Sequence, residues 1–73
     1  MKTTITISLR MAAKAYDAIT DNRKLEEKLI NEYPNTWVIE TEDPDEHDEL
    51  LLDTIIQLGD FGIHADEYNI VKE

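Results

Sequence analysis

The chain has 73 residues and no cysteine, and its 17 acidic and 7 basic residues give a formal net charge of −10. This length allows one domain, 1–73, and the lack of cysteine excludes disulfide bonds and thiolate metal sites. Its first residues lack the apolar core of a signal peptide, and Leu50–Leu52, the longest apolar run, is far too short to cross a bilayer. We expect a soluble, cytoplasmic protein with no membrane association. Its small size is compatible with a homo-oligomer that enlarges the core.

The charge is distributed unevenly along the chain. Residues 1–33 carry six basic and five acidic groups, a net +1, whereas residues 34–73 carry one basic and twelve acidic groups, a net −11. The acidic half would repel the phosphates of a nucleic acid, so we expect no direct nucleic acid binding there. It would attract a basic protein surface and speed the encounter with it.

The first predicted element is a strand. Apolar and polar residues alternate strictly over residues 3–9, with Ile5, Ile7 and Leu9 on one side and hydroxyl side chains on the other. Threonine and isoleucine favour strands, so this segment predicts a half-buried strand.

Helical spacing of apolar residues follows from residue 10 to residue 33, with Ser8 as a candidate N-cap. Polar residues interrupt the shared apolar face near Asn22, and Thr20–Asn22 offers new capping side chains. We expect two helices, or one helix with a weak point at residues 20–22. The segment should end before Pro34, because the residue before a proline disfavours the helical conformation.

A turn at Pro34 leads to a second predicted strand, centred on residues 37–39 and ending by Glu42. Asp43 as a cap and Pro44 in the first helical position then predict a helix over residues 44–58, stopped by Gly59. Its predicted buried stripe consists of Leu51, Leu52, Ile55, Ile56 and Leu58. A short strand at residues 68–71 is compatible with the irregular tail.

These elements predict an α+β fold in the order β-α-(α)-β-α-(β). A small two- or three-stranded sheet would be covered on one face by two or three helices. Parallel pairing of the first two strands through a right-handed helical crossover is one solution.

No motif for catalysis or cofactor binding is present. Ser8 is the only serine, and no nucleophile elbow surrounds it. Neither glycine opens a helix after a strand, so there is no phosphate cradle. The acidic run near His47 lacks the glycine of a calcium-binding loop, and Pro44 interrupts it. We expect no enzyme activity, no cofactor and no defined metal site.

The leading hypothesis is therefore a non-enzymatic interaction or inhibitory module whose acidic surface docks on a basic protein partner. Inhibitors that imitate the phosphate array of DNA, and antitoxins that cover a basic toxin site, are small acidic proteins of this kind. The candidate partner-binding residues are Glu40, Glu42, Asp45, Glu46, Asp48, Glu49, Asp53 and Trp37, with Asp60, Asp66 and Glu67 extending the surface. Trp37 is predicted either to pack in the core or to serve as an exposed aromatic anchor. Tyr16 and Tyr33, on the apolar helical face, are predicted to be core residues.

Two alternatives stay open. A strand followed by two short helices over residues 3–33 is similar to ribbon-helix-helix DNA-binding regulators and antitoxins, which act as dimers through paired strands. The outward strand face lacks the Arg, Lys, Asn or Gln side chains that read base edges. In the other alternative, the acidity serves solubility only.

Overall fold

The structure, a computed structural model, describes residues 1–73, which form a four-stranded sheet and three α-helices. The strands are β1 (Lys2–Ile7), β2 (Ile30–Glu32), β3 (Thr36–Glu40) and β4 (Tyr68–Lys72). The helices are α1 (Ala12–Thr20), α2 (Arg23–Lys28) and α3 (Pro44–Asp60), and 3-10 turns at Leu9–Met11 and Ala65–Glu67 precede α1 and β4. The predicted α+β class is confirmed. None of the three helices combines the length and apolar character that a membrane crossing requires.

The sheet has the strand order β2-β3-β1-β4, and every neighbouring pair is antiparallel. Ile5 of β1 lies opposite Trp37 of β3 on one side and Ile70 of β4 on the other. When α1 and α2 are counted as one helical connection, the element order is β-α-β-β-α-β, the split βαβ arrangement.

Parallel pairing of the first two predicted strands is wrong, and so is the helical prediction for residues 29–33. Helix α2 ends at Lys28, because Leu29 is already extended with φ −86° and ψ 144°. The next three residues form β2, which pairs with β3 across the turn at residues 33–35. This hairpin reverses the chain, so the strand that contains Trp37 runs antiparallel to β1. The hairpin and β4 give the sheet four strands instead of two or three.

The core lies between the helices and one face of the sheet. Alternation along β1 directs Ile5 and Ile7 toward the helices, where they join Trp37 and Ile39 of β3. Helix α1 contributes a fully buried Ile19 to the same cluster. The opposite sheet face has no helix over it.

Local capping explains where the helices begin. The carboxylate of Asp43 accepts a hydrogen bond from the backbone N–H of Asp45 at 2.9 Å, as predicted for the start of α3. Asn22 caps α2 in the same way, accepting from the N–H of Leu25 at 3.3 Å, so the predicted break near residue 22 is confirmed. The predicted cap at Ser8 is wrong, because its side chain makes no capping hydrogen bond and a 3-10 turn intervenes before α1.

The last helix ends slightly later than predicted. It continues through Gly59 to Asp60. The residue with positive φ is Gly62, at +81°, a conformation that glycine adopts without the steric cost of a Cβ.

Candidate functional site

Helix α3 carries most of the candidate acidic residues and packs on the core through one stripe. Its buried residues recur at intervals of three and four, as a single contact face requires. These residues are His47, Leu50, Leu51, Thr54 and Leu58. The rest of the helix surface faces outward.

Two large apolar side chains lie on this outward side, against the prediction that they are buried. Leu52 is 58% exposed and Ile56 is 52% exposed. Each residue advances about 100° around a helix, so Leu52 lies well outside the buried stripe that contains Leu51. The sequence offers more apolar positions than one contact face of α3 can bury.

Carboxylates surround this exposed pair. Asp48, Glu49, Asp53 and Asp60 each lie three or four residues from Leu52 or Ile56, the spacing at which helical side chains are neighbours. Asp45 extends the same side one turn toward the N-terminus. We call this surface the α3 outer face, and it comprises Asp45, Asp48, Glu49, Leu52, Asp53, Ile56 and Asp60.

Lysines of α2 neutralise one edge of the acidic region. Lys24 Nζ lies 3.1 Å from Glu49 Oε1 and also pairs with Asp53. Lys28 Nζ lies 4.0 Å from Glu46 Oε1. The hydrogen bond from Lys24 to Asp53, and to a smaller extent the one to Glu49, raises the pKa of the Lys24 ammonium above the ordinary 10.5. This edge therefore offers less net negative charge than its carboxylates suggest.

The other candidate carboxylates have no internal ion pair. Asp45 and Asp48 on α3, Glu42 before it and Glu40 at the end of β3 are all exposed. The six ion pairs of the structure involve none of them. Their charge is available to a partner.

Two members of the predicted surface are buried instead. Glu67 is only 8% exposed and pairs with Arg10, because its 3-10 turn faces the end of β1. Its neighbour Asp66 is exposed, but on this turn rather than on α3. Trp37 is 3% exposed, and the centroid of its ring lies 6.2 Å from the ring centroid of Tyr16. It therefore packs in the core and cannot be an exposed anchor.

Both tyrosines predicted to be core residues are exposed. Tyr16 is 52% exposed and Tyr33 is 90% exposed. The cause for Tyr33 is the early end of α2, which puts this residue in the β2–β3 turn rather than on a helix. Helical periodicity had placed both residues on the apolar face, so the prediction that they are buried is wrong.

The histidines do not assemble a reactive centre. His47 is buried and its two ring nitrogens contact the hydroxyls of Thr3 and Thr41. His64 is exposed, at the start of a 3-10 turn. No group of three or more His, Asp or Glu side chains could hold a metal ion.

The position of β1 is incompatible with a ribbon-helix-helix dimer. That arrangement needs the first strand to pair with the same strand of a second subunit. Here β1 is hydrogen-bonded to β3 on one side and to β4 on the other, which leaves it no free edge.

No family model, curated protein or solved structure matches the chain. What the α3 outer face can bind therefore follows from its own chemistry. Its carboxylates can pair with ammonium or guanidinium groups, and its apolar pair can bury against an apolar patch.

Proposed function

We propose that the protein is a non-enzymatic interaction module whose α3 outer face binds a basic protein. The observation that supports this function is the exposure of Leu52 and Ile56 among carboxylates, of which Asp45 and Asp48 have no ion pair. Acidity that served solubility alone would not require two large apolar side chains at its centre.

The two kinds of side chain would contribute differently. Interfaces place apolar anchors at the centre and polar groups at the rim. Full burial of a leucine or isoleucine side chain contributes about 1.5–3 kcal/mol. Leu52 and Ile56 are each about half exposed, so about half of that contribution remains to be gained when a partner covers them. The carboxylates would steer a basic partner and set the orientation of docking, and salt would weaken their effect.

The partner's surface must complement both parts. It should present lysines or arginines around a small apolar patch, with a spacing that fits one helix of 17 residues. A nucleic-acid-binding protein and a basic toxin both have basic surfaces of this kind, and the experiment below distinguishes them by identifying the partner.

The test is affinity capture from the native host with three versions of the full chain as bait. One is the native chain, and the second carries Asp45→Asn and Asp48→Asn. The third carries Glu26→Gln and Glu32→Gln, which remove two exposed carboxylates without an ion pair from α2 and β2. We expect a basic protein that the native and third baits recover at low salt, that moderate salt releases, and that the second bait loses.

Equal recovery by all three baits, or a lack of any salt-sensitive partner, would contradict the function. In that case the alternative that the acidity serves solubility alone would stand. A Leu52→Gln, Ile56→Gln bait completes the design, because loss of the same partner would show that the apolar pair takes part.

A further inference from the structure

A second exposed apolar surface lies beside α1, away from α3. A groove with a volume of about 560 Å³ runs between α1 and the β2–β3 turn. The residues that line it include Leu9, Tyr16, Asp17, Tyr33 and Pro34. It shares no residue with the α3 outer face.

The groove displays apolar and aromatic surface to solvent. Leu9, Tyr16 and Tyr33 are all more than half exposed, although each is a large side chain that packing within the chain would normally cover. Isolated exposed apolar residues are ordinary, but a contiguous group in a concave site is typical of a binding surface.

A single uncompensated carboxylate lies in this groove. Asp17 forms no ion pair, and no lysine or arginine lines the site. Arg10 pairs with Glu67, and Lys14, whose ammonium lies near Gly62, forms no ion pair with Asp17. Asp17 is therefore the one charged side chain that lines the groove, and its exposed carboxylate is available to pair with a cation of a partner.

We propose that this groove binds an arginine side chain carried by a protein segment. A guanidinium group can stack on the face of Tyr16 or Tyr33 and donate two hydrogen bonds to the carboxylate of Asp17. The aliphatic stem would lie on Leu9 and Pro34. Arginine fits better than lysine because its planar, weakly hydrated head both stacks and forms paired hydrogen bonds.

This proposal rests on the proposed function in one respect: both assume that the partner is a basic protein. An arginine in the groove and a basic surface on α3 would be two separate contacts, and each can fail without the other. If both are made by one protein, the two contacts would strengthen each other as linked sites do.

The test is an NMR titration of the full chain, labelled with nitrogen-15, with the peptide acetyl-Gly-Arg-Gly-amide. The control peptide carries citrulline, which has nearly the shape of arginine but no charge. We expect the arginine peptide to shift amide signals of residues around the groove, such as Ala13 and Asn31, and the citrulline peptide to bind at least twofold more weakly. Affinity for so small a probe should be in the millimolar range.

Variants of the groove residues then show which side chains account for the binding of arginine. Asp17→Asn should weaken arginine binding about two- to fivefold and leave citrulline binding unchanged, as expected for one partly exposed charge contact. Asp66→Asn, an equal charge change outside the groove, should do neither. Tyr33→Leu should keep the apolar contact and reduce, without abolishing, the preference for arginine, because a cation–π contact is lost while Asp17 remains. Equal binding of the two peptides, shifts confined to α3, or indifference to Asp17→Asn would each overturn the proposal.

Discussion

The hydroxyl of Thr3 lies 2.7 Å from Nε2 of His47, and both residues are buried between the sheet and α3. On the other side of the ring, Nδ1 lies 3.0 Å from the hydroxyl of Thr41, which itself donates to the carbonyl of Asp43. Because the hydroxyl of Thr41 donates to Asp43, it accepts from Nδ1–H of His47. The hydrogen bond between Nε2 and the hydroxyl of Thr3 ties β1 to α3.

Replacing Thr3 by valine should destabilise the protein by about 1–3 kcal/mol, because the isosteric side chain leaves Nε2 of His47 buried without a hydrogen-bond partner. Urea unfolding of the variant measures the loss. Thr6→Val on the exposed side of the same strand is the matched control and should change the free energy of unfolding by less than about 0.5 kcal/mol. Equal effects at both positions would contradict the assigned contact.

Truncating a side chain should destabilise the protein strongly on the buried face of α3 and only slightly on its outer face. Leu58 is fully buried, so Leu58→Ala should cost about 2–5 kcal/mol through lost burial and the cavity that remains. Leu52 is mostly exposed, and Leu52→Ala should cost less than about 0.5 kcal/mol. Unfolding of both variants in urea checks the orientation of the helix, and a large loss at Leu52 would refute it.

Helix capping gives a further pair of variants. Asp43→Ala should destabilise the protein by about 0.5–2 kcal/mol, since the N–H of Asp45 loses its acceptor at the start of α3. Ser8→Ala should have little effect because its hydroxyl caps no helix. Thermal unfolding monitored by circular dichroism compares the two, and a larger effect at Ser8 would be inconsistent with this structure.

The ion pairs of Lys24 predict a dependence on alkaline pH. Hydrogen bonds to Asp53 and Glu49 raise the pKa of Lys24 in the folded state above 10.5. Its contribution is therefore fully present below the pKa of the unfolded chain and is lost as the pH rises through the folded-state value. Stability of the native chain should fall toward that of Lys24→Gln above pH 10.5.

The measurement is urea unfolding of both proteins from neutral to alkaline pH, with Lys14→Gln as a control that removes a lysine without an ion pair. The difference between native chain and control should stay constant. A gap between the native chain and Lys24→Gln that widens with pH would contradict the interaction.

Local chemistry in the sequence determined several elements. Strict alternation over residues 3–9 predicted β1, although the strand ends at Ile7, and Asp43 followed by Pro44 was sufficient to place the start of α3. The break near Asn22 also followed from its side chain. In each case the signal acts within a few residues, through strand periodicity, a capping hydrogen bond or a fixed backbone angle.

The remaining features depend on contacts between residues that are distant in the sequence. Strand β2 has three residues and exists because β3 provides hydrogen-bond partners, so no local pattern predicts it. That strand reverses the chain, buries Trp37 in the sheet and leaves Tyr33 exposed in the turn. The sheet and α1 cover only one face of α3, so only the leucines on that face are buried. The acidity of the C-terminal half is a property of its composition, whereas the packing of α3 on the core leaves Leu52 and Ile56 exposed among the carboxylates.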